Sequence, residues 1–163
     1  MMLGLSLSTF TTLHVVISLI GIAAGFVVLL GLLNGKSQGG WVALFLATTV
    51  LTSVTGFMFP FAKFLPSHGV GLISLVVLAV ALLALYVFRL AGAWRWIYVV
   101  TALTALYLNV FVLIAQGFLK VPVLNALAPT GSEPAFVVAQ TVVLAIFAVL
   151  IVLGVKRFRP AAA

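Results

Sequence analysis

Five apolar runs, separated by short stretches rich in Gly, Pro, Ser, Lys and Arg, set the pattern of the chain. Crossing about 30 Å of hydrocarbon takes about 20 apolar residues at a rise of about 1.5 Å each, and every run is that long. The pattern predicts helical spans at about 11–33, 41–59, 69–89, 95–118 and 135–155. β-Branched residues abound, but a spanning strand needs only about 10 residues with strict alternation, and none alternates. The boundaries carry their own signals. Asn34-Gly35-Lys36 is a turn-forming stop, and Pro60 ends the second run by removing a backbone donor. Ser67 is the expected N-cap of the third, and Pro134 opens the fifth at a first-turn position.

Composition makes lipid the solvent. Of 163 residues 66% are hydrophobic and 6% charged, where a soluble domain carries roughly a quarter charged. The expected fold is all-α, a polytopic integral membrane protein whose five helices form one domain over residues 1–163. The net charge of +7 does not signal nucleic acid, because the cations flank apolar runs as topology-setting charges do. The lipid bilayer is the expected partner. With no cysteine there are no disulfides, thiol catalysis or Cys-ligated metals. The N-terminal stretch has no Lys or Arg and its apolar run is too long for a signal-peptide core, so that run is read as a retained span.

Five spans put the termini on opposite sides. Lys36, Arg89, Arg95, Lys156, Arg157 and Arg159 fall on one side and Lys63 and Lys120 on the other, six against two. The richer side should be cytoplasmic, which sets the N-terminus outside and the C-terminus inside. A bacterial cytoplasmic (inner) membrane is the expected location. Trp41, Trp94 and Trp96 stand at the cytoplasmic boundary, and Phe57, Phe59, Phe61 and Phe64 at the outer one. The fourth loop brackets VLNALA between Pro122 and Pro129, which suits a short interfacial helix and an irregular loop equally. Glu133, the only acid, precedes the last helix, where the dipole favours a carboxylate and Lys63 or Lys120 can pair with it.

Within the spans, small and polar residues are the informative ones. Gly21 and Gly25 form a GxxxG, which allows close approach of another helix, expected here within the bundle. Thr48, Thr52 and Thr55 form a weakly polar stripe, and Ala102, Ala105, Asn109 and Gln116 a small-to-polar one. Counted from the cytoplasmic ends, Thr55 and Asn109 each lie about 21 Å up. Gln140 falls near the same level, and Gln116, His14 and His68 lie above. Two readings follow: hydrogen bonds between helices, or a pocket open to the outside lined by His14, Thr55, His68, Asn109, Gln116 and Gln140.

No phosphate-binding loop, HExxH, GxSxG, paired carboxylate or Cys/His metal spacing is present. No titratable group lies deep in a span, which argues against ion-coupled transport. The chain is therefore expected not to be an enzyme, and the metal expectation is none. One cofactor suits the inventory: haem b, with His14 and His68 as axial ligands between apolar walls. The leading functional expectation is an accessory or partner subunit docking on other membrane-protein subunits. The alternatives are a binder of a small or lipidic ligand in the outer pocket, and the b-type haem protein.

Overall fold

A computed structural model describes residues 4–60 and 66–159. Its elements are α1 (Leu7–Leu33), α2 (Gly39–Gly56), α3 (Pro66–Leu82) continued by a π-turn (Leu83–Val87), α4 (Trp94–Lys120), α5 (Pro122–Leu127) and α6 (Pro134–Arg157). Five of these helices are long and apolar enough to cross a membrane, counting α3 with its π-turn as one. The fourth loop does form a short helix, α5, tied back to α4 where Asn125 Nδ2 donates to the Phe118 carbonyl at 3.2 Å.

Local chemistry moves several helix ends from their expected places. α1 begins four residues early because Ser6 caps it, accepting from the Thr9 amide at 3.1 Å. Thr11 and Thr12 then return their hydroxyls to the Leu7 and Ser8 carbonyls, so a polar stretch is helical. α2 stops at Gly56, before Pro60, and its last carbonyls take tight bonds from the Phe57 and Met58 amides at 3.1 Å. α3 opens on Pro66, so Ser67 lies inside its first turn and is not the N-cap. A proline is well placed there, since its missing N–H has no helical partner to lose. Lys63, Phe61 and Phe64 lie outside the described residues.

The third span leaves its helix irregularly. After the π-turn, Arg89 (φ 48) and Leu90 (φ 61) adopt left-handed conformations that side chains other than glycine disfavour. The Leu90 amide reaches back to the Ala84 carbonyl at 2.9 Å, and Phe88 stacks flat on Trp94 at 3.9 Å. These contacts hold the turn into α4.

α4 is central. Ala102, Leu103, Ala105 and Leu106 are fully buried on it. α1 and α2 form a close hairpin, and two of α1's three glycines, Gly21 and Gly25, lie against α2. A Cβ on Gly21 would lie 3.0 Å from Thr48 Oγ1; one on Gly25 would lie 2.5 Å from a Leu106 methyl and 3.0 Å from the Phe45 ring. Gly154 does the same for α6, where a Cβ would lie 3.0 Å from Val99. In lipid, helices gain little from hiding apolar surface, so such close contact is a main source of cohesion.

The basic end is closed by one residue. Arg95, at the start of α4, donates through Nη1 to the Val155 carbonyl at 3.0 Å and to the Phe158 carbonyl. These oxygens belong to the C-terminal turn of α6 and its exit, where carbonyls lack helical donors and a cation suits the dipole. The Phe158 ring is completely buried, 6.2 Å from Tyr98. The first loop comes to the same end, since a Cβ on Gly35 would sit 3.3 Å from the Arg157 carbonyl.

A leucine at position 25 must displace both Leu106 and Phe45. Gly25→Leu is expected to destabilise the bundle by about 1–3 kcal/mol, read as a lower unfolding midpoint in detergent, while Ala23→Leu on the exposed side of α1 leaves it unchanged.

Candidate functional site

The polar groups inside the spans are organised by α2. Its threonines and serine form two rows on different faces. Thr48 and Thr55 meet α1 at Gly21 and His14, while Thr49 and Ser53 reach Asn109 of α4 and Ser74 of α3, Thr49 also standing beside Gly21. Thr55 Oγ1 lies 2.7 Å from Nδ1 of His14 on α1. It also lies 2.7 Å from the Leu51 carbonyl, one turn back on its own helix. A hydroxyl has one proton; when it goes to Leu51, the imidazole donates through Nδ1 and Nε2 is left as acceptor.

On the other face, Ser53 Oγ lies 3.0 Å from the Thr49 carbonyl and 3.2 Å from Ser74 Oγ of α3. Thr49 Oγ1 accepts from Asn109 Nδ2 of α4 at 3.3 Å. Thr49, Ser53 and Ser74 are all buried. Sequence reading passed over these three. Their signal is spacing: Thr49 and Ser53 stand one turn apart, and Ser74 is a lone hydroxyl in the middle of an apolar helix.

The six residues expected to line an outer pocket are distributed as follows. His14 and Thr55 meet. Asn109 meets Thr49 instead, which stands about 9 Å below Thr55 along α2. Counting from helix starts sets Thr55 and Asn109 level, whereas Asn109 bonds to a residue six positions nearer the start of α2. Gln140 is buried against α4, with Nε2 donating to the Phe111 carbonyl at 3.0 Å and Oε1 unpartnered. Gln116 is exposed. His68 is buried at the start of α3, its ring 5.8 Å from Phe57.

Both histidines pack on the end of α2. His14 touches Thr55 and stands edge-on to Phe59 at 5.2 Å, and its ring is 3.8 Å from where a Cβ on Gly56 would be. His68 lies against Phe57, which a Cβ on Gly71 of α3 would also meet at 3.1 Å. Among the described residues, no group of three or more His, Cys, Asp or Glu side chains is placed to hold a metal ion.

Glu133 is held by its own turn, not across it. Its carboxylate accepts from the Thr130 hydroxyl at 2.8 Å and the Thr130 and Ser132 amides at 3.1 Å. Desolvation acts to raise the pKa, and these hydrogen bonds, the Thr130 hydroxyl foremost, outweigh it and hold the carboxyl below its usual value. Two apolar grooves open on the outside of the bundle. One lies between α2 and the end of the third span, and one on α6.

Asn109→Leu removes a bond between helices that no water replaces. It is expected to destabilise the protein by about 0.6–1.7 kcal/mol, by detergent unfolding, whereas Gln116→Leu on the exposed surface changes little. An equal loss from both would contradict the role given to Asn109. No protein-family model, curated protein or solved structure matches the chain.

Proposed function

We propose that the protein is an accessory subunit that docks on another membrane protein through the outer face of α6, with no catalytic step of its own. The observation that carries this reading is a seam along that helix. Val138, Val142, Ala145, Val149 and Val152 recur at spacings of four and three, the period of knobs-into-holes packing. All five are exposed. β-Branched side chains are already fixed in one rotamer on a helix, and alanine allows close approach, so a partner helix would order little on binding. α6 is also the least enclosed span, with only 11% of its most apolar stretch buried.

The orientation proposed with this is N-terminus outside and C-terminus in the cytoplasm, in a bacterial inner membrane. The nearness of Gly35 to Arg157 supports counting the first loop and the tail together, which underlies the excess of cations on that side. A second reading, binding of a small or lipidic ligand near the outer end, has the unpartnered buried Gln140 Oε1 in its favour.

Two measurements test these proposals. Purified from its native membrane in mild detergent, the protein should migrate in an assembly of fixed stoichiometry, and Val149→Phe on α6 should release it as a monomer. A wild-type protein that runs alone would overturn the subunit reading. For orientation, a phosphatase fused to the C-terminus should be inactive and a fluorescent protein there bright; active phosphatase would reverse the assignment.

A further inference from the structure

We infer that the groove between α2 and the end of the third span holds one acyl chain of an anionic phospholipid whose headgroup rests on the basic end of the bundle. The groove is open along the bundle surface and has a volume of about 550 Å³. Ala43 and Ala47, one turn apart on α2, line one side, and Leu82 and Tyr86 line the other. Both alanines are exposed, so the space is left by their small size and not by a missing contact in the core. From Ala43 to Leu51 it extends about 12 Å along the helix, most of the about 15 Å of hydrocarbon in one leaflet.

The π-turn shapes this site. It runs from Leu83 to Val87, so Leu82 and Tyr86 straddle the change from α to π winding. π-turns are rare and concentrate where a helix does more than span. Tyr86 is 57% exposed, and its ring and hydroxyl make the amphipathic side chain that favours a headgroup boundary. Arg89 follows three residues later, exposed and in a left-handed conformation. α2 starts at Gly39, three residues after Lys36, so along the chain one cation precedes the groove's α2 wall and another, Arg89, follows its third-span wall.

Charge selects the occupant. The chain contains a single acidic side chain, Glu133, whose carboxylate is engaged at the opposite end of the bundle. Arg95 is spent on the α6 carbonyls. Lys36, Arg89, Lys156, Arg157 and Arg159 therefore have no anionic side chain to meet at their end. A second copy of the chain would bring a second set of like charges to the same mouth. An anionic phospholipid brings both the apolar tail the groove accepts and the charge its mouth lacks, and basic pockets between helices on the cytoplasmic side bind such headgroups.

The site lies on different helices from the α6 seam, so it stands or falls separately from the subunit reading. The test is native mass spectrometry of the isolated protein with phosphatidylglycerol or phosphatidylcholine of the same acyl chains. The expected result is one retained phosphatidylglycerol per protein and little phosphatidylcholine. Ala47→Phe, filling the groove, should abolish retention, and Ala43→Phe serves equally if the first variant fails to fold. Lys36→Gln and Arg89→Gln should each weaken phosphatidylglycerol by about fivefold, the effect of one cation near an anionic headgroup, and leave phosphatidylcholine unchanged. Ala145→Phe, in the α6 groove, should have no effect. Equal retention of the two lipids, retention that survives both groove-filling variants, or a dimer that Ala47→Phe dissociates would each overturn the inference.

Discussion

In lipid a polar group has no water to fall back on, and the arrangement of this bundle follows from that constraint. α2 carries five hydroxyl side chains, and through them it is tied to its neighbours. It bonds to α1 through Thr55 and His14, to α3 through Ser53 and Ser74, and to α4 through Thr49 and Asn109. Each bond is modest, but together they fix rotation and depth for three neighbours, which apolar packing alone specifies weakly. Four described side-chain atoms escape the rule: Gln38 Oε1, Thr52 Oγ1, Tyr98 Oη and Gln140 Oε1 are buried without partners.

Close approach and end closure complete the frame. Gly21 and Gly25 bring α1 onto α2 and α4, and Gly154 brings α6 onto α4. At the basic end a single guanidinium gathers the carbonyls that α6 cannot satisfy itself. At the opposite end of α6, Glu133 caps the turn from Thr130 rather than the helix. The chain's only carboxylate and one of its arginines are thus structural.

The number and type of the spans were legible because length and hydropathy decide them. The ends were less so. Ser6 and Thr9 build a cap out of residues that look like a polar tail, and Pro66 starts a helix where Ser67 looked the better cap. The polar residues were identifiable as a group, but their pairing was not. Counting along each helix sets Thr55 and Asn109 level, whereas Asn109 reaches Thr49. Which face of α2 meets which neighbour is set by the whole bundle, and that information is not local to the threonines. That Phe57, just past the end of α2, lies against His68 is likewise not shown by the segment around His68.

The helix that makes these three polar links is also the poorest membrane segment. The best 18-residue window of α2 has a hydropathy of 1.4, against 2.8 for α1 and 2.9 for α6. The hydroxyls that join the finished bundle are therefore a burden while the chain is entering the bilayer. α1, already inserted and lying antiparallel to α2, offers His14 to Thr55 and a glycine surface beside Thr48 before α3 has been made. Biogenesis should thus treat α1 and α2 as one hairpin, with the first helix acting as the second's solvent until the rest of the protein arrives.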